Sequence, residues 1–206
     1  MNYCPDCGDQ TFLKNIPNDR IPRNVCQGCN QIHYENPKII VGSLPVLNNS
    51  VLLCKRAIHP SIGMWTIPSG FMELGESLED GARREALEEA NLTFEIIKLY
   101  GNYSIPEIGQ VLFVFLVTIL NKDYAPMDET SEVQLFNIDN IPWSKIAFPS
   151  VEYFLKNYVQ DHKRYLKLSL LMPPLTLFAL HMDIFEKAQF DVFFFSTISH
   201  RVYYIS

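Results

Sequence analysis

Residues 70–92 read GFMELGESLEDGARREALEEANL, and how this stretch is understood decides the fold. Its seven carboxylates face only two arginines, a net charge of −5, whereas the whole 206-residue chain carries −6. The remaining 183 residues are close to neutral, so the acidity is concentrated in one place. Ser77 followed by Asp80 has the form of a capping box, and Asn91 is a residue that accepts the left-handed conformation ending many helices. A helix is therefore expected from Leu78 to Ala90. At about 100° per residue, Glu85, Glu88 and Glu89 share an arc of roughly 100°. A helix made acidic for solubility spreads or pairs its charges, whereas crowding them costs stability that a bound divalent cation restores. Leu78, Ala82, Ala86 and Ala90 form the neighbouring face, where three alanines allow close approach to a sheet.

Outward from this helix the pattern is that of strands. Lys38 to Leu47 is a β-branched run, Asn48-Asn49 a turn and Val51 to Lys55 a second run, which together predict a hairpin. Gln110 to Leu120 is almost continuously apolar and rich in valine, as expected of a strand covered on both faces. Val133 to Ile138 alternates weakly, and Ser150 to Asp161 has helical apolar spacing with Ser150 as its expected cap. With 48% apolar and 19% charged residues the chain is globular, long enough for one α/β core and a small satellite. Its acidic balance excludes a protein that coats nucleic acid over its whole surface. Met1 to Pro5 begin no secretory or transit leader, and the greasiest run, residues 168–182, is interrupted by Pro173-Pro174, so a cytoplasmic chain with no membrane span is expected.

Cys4 and Cys7 form one CxxC pair and Cys26 and Cys29 another, eighteen residues apart, the spacing of a zinc ribbon. Gly8 and Gly28 supply the backbone freedom such knuckles need. Four thiolates close a zinc tetrahedron, which leaves no position for catalysis and makes Zn²⁺ structural. Residues 1–38 balance Asp6, Asp9, Asp19 and Glu35 against Lys14, Arg20, Arg23 and Lys38, so the ribbon is no basic patch, and a scaffold role is expected over nucleic-acid docking. Cys54, inside the apolar run Val51 to Cys54, reads as a small buried hydrophobe.

The acidic stretch resembles the Nudix box, GX5EX7REUXEEXGU, through Gly70, Glu76, Arg84, Glu85, Ala86, Glu88, Glu89 and Leu92, and departs from it at Asn91, where the family has glycine. The preceding Trp65-Thr66-Ile67-Pro68-Ser69 is similar to the run that enters the box. The ribbon, the segment Ile32 to Lys38, Lys55-Arg56-Ala57 and Ile141-Pro142-Trp143 with Ala147-Phe148 extend the likeness, over about residues 3–160, to zinc-ribbon Nudix hydrolases acting on ADP-ribose or FAD.

The resemblance implies a mixed sheet between helices and metal-dependent hydrolysis of a nucleoside diphosphate derivative. Glu85, Glu88 and Glu89 with the Gly70 carbonyl would hold Mg²⁺ or Mn²⁺. Arg84, counted with the catalytic set, would pair with Glu76 to brace the loop, and Asn91 would cap the box. Glu129 is counted with the catalytic set too, and the water proton would go to Glu129, to Glu132 or to a box carboxylate. Arg56 suits phosphate oxygens, Trp65 suits stacking on a base, and Tyr103 and Pro106 suit the far side of the pyrophosphate. The partner is then a small nucleotide substrate.

NADH pyrophosphatases share the ribbon and the box but carry a downstream SQPWPFP array; here that region reads Tyr103-Ser104-Ile105-Pro106-Glu107. NADH cleavage or NAD-cap removal is accordingly the second reading, and a nucleotide sensor without turnover the third. The expected organisation is a ribbon over 1–36, a hydrolase domain over 37–167 and an apolar extension over 168–206. The extension is rich in phenylalanine and packs on the core, enters a homodimer or is poorly ordered.

Overall fold

The computed structural model describes residues 1–171, in two units: Met1–Lys38 with Ile105–Val111, and Ile39–Ser104 with the chain from Leu112 onward. Of the extension that sequence assigns to 168–206, residues 168–171 end a helix and residues 172–206 lie outside the described residues. No described helix is long and apolar enough to cross a membrane.

In the first unit, β1 (Thr11–Lys14), β2 (Arg23–Cys26) and β3 (Ile32–His33) form an antiparallel sheet in that order. Val25 and Cys26 on β2 are buried, as is Cys4, so the small core is built around the cysteines.

The larger sheet contains β4 (Lys38–Leu47), β5 (Ser50–Arg56), β6 (Trp65–Thr66), β7 (Ser69–Phe71), β8 (Phe94–Ile105), β9 (Gln110–Ile119) and β10 (Thr130–Asn137). Strand order is β10-β5-β4-β9-β8, with β6 beside β5 and β7 beside β4. It is the mixed sheet between helices that the sequence led us to expect. The β4–β5 hairpin pairs Val46 with Val51 and Leu47 with Ser50, and Asn48 takes φ 53° at its turn. Helix α1 (Leu78–Ala90) covers one face and α2 (Pro149–Leu171) the other.

Alternation along the strands separates two cores. Val51 and Leu53 face α2, packing with Val151, Phe154, Leu155 and Tyr158. Leu52 and Cys54 face α1, packing with Ala82, Ala86 and Ala90. Each fully buried leucine or phenylalanine contributes about 1.5–3 kcal/mol, so both helices are held by burial far more than by their own propensity.

Two expectations change. Ser150 is not the cap of α2: Pro149 takes the first helical position, where its missing N–H costs nothing, and Ser150 is a buried first-turn residue. The helix also runs to Leu171, well past Asp161. The twelve-residue β8 carried no clear sequence signal, because Glu95, Lys98, Gly101, Asn102 and Ser104 interrupt its apolar pattern.

Gly81 explains how closely α1 lies on the sheet. A Cβ there would stand 2.7 Å from Glu76 Oε1 and 2.8 Å from Val41 Cγ2. Alanine would gain about 1 kcal/mol of helix propensity, but Val41 is a fully buried strand residue and Glu76 is tied down, so neither yields cheaply. Gly81→Ala is therefore expected to lower stability by about 1–3 kcal/mol in urea unfolding, and a more stable variant would refute this packing account.

Candidate active site

The site is assembled where α1 meets the loop that follows β7. Ser77 Oγ accepts the Asp80 N–H at 3.1 Å and donates to Asp80 Oδ2 at 2.7 Å, which starts the helix. Asn91 stops it at φ 47°, its N–H donating to the Leu87 carbonyl. Where the Nudix pattern has glycine, the asparagine side chain adds a bond of its own, from Nδ2 to the Asp123 carbonyl at 2.9 Å. Asn121 replies by donating to the Asn91 carbonyl and accepting the Thr93 N–H, each at 2.9 Å. Nothing in the sequence marked Asn121.

Arg84 ties the loop to the helix. Its Nε and Nη2 grip the Glu76 carboxylate at 3.1 and 2.8 Å, Nη2 also reaches the Phe71 carbonyl at 3.0 Å, and Nη1 reaches Glu85 at 2.7 Å and Glu88 at 3.0 Å. A guanidinium has five N–H donors, and these five bonds use them all. Arg84 therefore has no donor left for a phosphate, and its grip on Glu76 is the brace that the resemblance implied. The bonds from Arg84, and then the Glu73 N–H, hold Glu76 below the usual carboxylate range.

Glu89 is only 7% exposed and accepts the Ser69 N–H at 3.1 Å. Burial pushes its carboxyl up to about 8, against the pull of that N–H, and nearby Glu85 adds to the rise. Burial likewise raises Glu85, against the pull of Arg84. Glu129 is exposed, yet its charge is felt by both carboxylates. Glu132 is instead paired with Lys55 at 3.1 Å. At Gly70 an added Cβ would fall on the Glu85 carboxylate, so only glycine lets this backbone approach so closely. A buried and a half-buried carboxylate that repel one another beside a bare stretch of backbone fit a hard divalent cation. Glu88 is the exposed member of the trio, held on α1 through Arg84.

Of the expected substrate contacts, Arg56 lies close enough for its charge to lower Glu89. Trp65 does not suit a base: it is 5% exposed, edge-on to Phe136 at 4.8 Å, with the Lys55 ammonium over its ring. Its large apolar surface is committed to the core. Tyr103 packs on Tyr153 of α2, with ring centres 5.4 Å apart. Pro106 belongs to the other unit, where it opens a 3₁₀ turn over Pro106–Ile108.

In the ribbon unit, the sulfurs of Cys4, Cys7, Cys26 and Cys29 all lie within 4.8 Å of one another. Cys7 and Cys26 are 3.3 Å apart and Cys4 and Cys29 3.7 Å, far longer than a disulfide and close to the edge of about 3.8 Å in a tetrahedron with Zn–S bonds of about 2.3 Å. The Cys29 N–H donates to Cys26 Sγ and is the main influence that lowers that thiol, while Cys7 and Cys29, which share bonds with it, are raised, so one of the grouped sulfurs carries the negative charge most readily. A Cβ at Gly28 would displace the exposed Asp9 carboxylate. Cys54 is buried, and burial pushes its thiol up, so it is chemically quiet.

The NUDIX domain model matches residues 37–158 and the Nudix N-terminal zinc-ribbon model residues 2–35; the chain belongs to the Nudix hydrolases, a metal-dependent family of enzymes. A crystal structure of a NUDIX hydrolase from Nitrosomonas europaea is similar, 47% identical over 80% of this chain and 93% of that one, with a TM-score of 0.77. An ADP-ribose pyrophosphatase of Methanocaldococcus jannaschii is 32% identical over 62% of this chain and 76% of its own length. The NAD-capped RNA hydrolase NudC of Vibrio parahaemolyticus is 32% identical over 69% of this chain, but the chain spans only 53% of that relative.

Two outcomes follow from this geometry. A carboxyl raised to about 8 favours the protonated native state, so the stability Glu89 contributes to the cation-free protein is full below about 4.5 and is lost as pH rises through about 8. Protons and cations compete for the same oxygens. Added Mg²⁺ should therefore raise the melting temperature more at pH 8.5 than at pH 6, and an equal rise at both would contradict the burial of Glu89. Metal analysis of protein purified under reducing conditions should find about one zinc per chain, lost in Cys26→Ser together with the order of residues 1–38 as read by limited proteolysis.

Proposed function

We propose that this chain hydrolyses the pyrophosphate bond of a nucleoside diphosphate derivative, with ADP-ribose and FAD its preferred substrates. The observation that carries the reading is half-buried Glu85 closed against Gly70 and buried Glu89 on the Ser69 N–H, with the charges of Arg56 and Glu129 felt at Glu89. Glu85, Glu88, Glu89 and the Gly70 carbonyl would hold Mg²⁺ or Mn²⁺, which when bound neutralises pyrophosphate oxygens and makes a bound water more acidic. Arg84 keeps Glu85 and Glu88 in place through the loop it braces. Glu129 is the group we assign to take the proton of the attacking water, since Glu132 is already paired across the sheet with Lys55. Arg56 contributes N–H donors to the phosphates. The cysteine cluster uses all four of its sulfurs on one another's metal position and serves structure.

The similarity to an ADP-ribose pyrophosphatase supports the substrate class. The similarity to an NAD-capped RNA hydrolase keeps NADH and capped RNA as the second reading. Against that reading, the chain has no SQPWPFP array; in its place it runs out of β8 into the 3₁₀ turn at Pro106. A reduced nicotinamide thus lacks the Trp-Pro-Phe platform to stack on.

A substrate screen with Mg²⁺ and Mn²⁺, followed by product identification, tests this directly. ADP-ribose or FAD should show kcat/KM at least about tenfold above NADH, a difference of about 1.4 kcal/mol in transition-state binding. The products should be AMP with ribose 5-phosphate or FMN. Glu88→Gln should reduce kcat at least about a hundredfold without changing the unfolding midpoint, which separates this activity from a contaminant. A preference for NADH would overturn the substrate reading.

A further inference from the structure

Arg56 ends β5, and its side chain is fixed before any ligand arrives. Its Nε donates to the Pro60 carbonyl at 2.7 Å and Nη2 to the His59 carbonyl at 3.3 Å, while its guanidinium carbon lies 5.2 Å from the centre of the Phe148 ring. The loop providing those carbonyls is closed at its base, where Arg56 N–H donates to Met64 and Gly63 N–H donates to Arg56, at 2.9 and 2.8 Å. The next residue, Ala57, donates to the Glu129 carbonyl at 2.9 Å, so the same loop fixes the backbone of Glu129. The aromatic platform is also set from both sides. Ala147 N–H donates to the Trp65 carbonyl at 2.8 Å, and the Phe148 carbonyl accepts the Glu152 N–H of α2 at 3.0 Å.

A free arginine side chain carries about 2 kcal/mol of rotamer entropy, which binding must remove. Here two carbonyls and a ring face have already removed it, and three N–H donors remain. The charge is also placed where it acts on Glu89, inside the carboxylate cluster.

We propose that Phe148, together with the His59 and Pro60 carbonyls, is a positioning cradle that holds Arg56 as a preset ligand for the substrate's pyrophosphate. Phe148 acts through Arg56 and does not touch the substrate. The proposal rests on the pyrophosphatase reading for its substrate, and its chemistry is that of a diphosphate group.

The test uses Phe148→Leu, which keeps apolar bulk but removes the ring face, Phe148→Met as a second ring-less variant should Leu fold poorly, Phe148→Tyr as the rescue, and Arg56→Ala alone and combined with Phe148→Leu. Steady-state kinetics on ADP-ribose with Mg²⁺ are read beside calorimetric binding of inorganic pyrophosphate with Mg²⁺. Phe148→Leu should raise KM and the pyrophosphate Kd together by about three- to tenfold, with kcat within about twofold, and Phe148→Tyr should restore both. In the Arg56→Ala background the Leu substitution should change neither. Additive losses would overturn the cradle, as would a rise in KM without a rise in the pyrophosphate Kd, which places the ring against a base instead. Failure of the wild-type protein to bind pyrophosphate overturns it too. If the wild type binds pyrophosphate yet turns over no nucleotide, the activity reading fails while the binding series still decides the cradle.

Discussion

The five-donor contact of Arg84 is the constraint on which the active site depends. An acidic loop and an acidic helix face would repel one another, and one guanidinium joins them by gripping Glu76 from the loop and Glu85 and Glu88 from the helix. Because the side chain is only 24% exposed, these bonds are screened less than those of a surface pair. The geometry is directional: a lysine would offer a point charge without the planar fork that meets a carboxylate twice. Without this contact the helix could still pack through its alanines, but the carboxylates would no longer be held in one arrangement.

Two groups of anionic ligands are built on opposite principles. The four cysteines converge so tightly that a metal would complete their coordination and leave nothing open. Glu85 and Glu88 are held by Arg84 and Glu89 by the Ser69 N–H, and Glu89 is buried while Glu88 faces solvent. An incomplete set of hard ligands suits a cation that must also bind substrate oxygens and water. The first arrangement suits holding a small unit together, and the second suits chemistry.

Much of this was legible in the sequence because it is local. The limits of α1, its cap at Ser77 and the αL residue Asn91 depend on neighbours within one turn, and the hairpin around Asn48 is set by its own turn residue. What could not be read depends on distant partners. Trp65 entered as a stacking candidate because aromatic rings serve both roles, and only its contact with Phe136, seventy-one residues later, shows that its surface is spent in the core. The motif implied the bond from Arg84 to Glu76, but its further bonds to the Phe71 carbonyl, Glu85 and Glu88, which use up its donors, are a property of the folded loop. Gly81 passed unnoticed since a helical glycine usually reads as a weakness, and its necessity comes from Val41 on a strand forty residues earlier. Ser150 was misplaced because a serine beside a proline suggests a cap equally well one residue either way.

The paired asparagines have a consequence for motion. Helix ends are where local opening begins, and Glu88 and Glu89 occupy the last turn of α1, the least favourable place to keep ligands still. Asn91 and Asn121 lace that turn to the segment after β9 with bonds in both directions, so it cannot fray unless a stretch thirty residues away lets go as well. A glycine at 91 would accept the left-handed turn more easily but could not contribute the stitch to Asp123. The departure from the family pattern thus trades backbone ease for cooperativity, joining the end of the acidic helix and the rim of the sheet into a single opening unit.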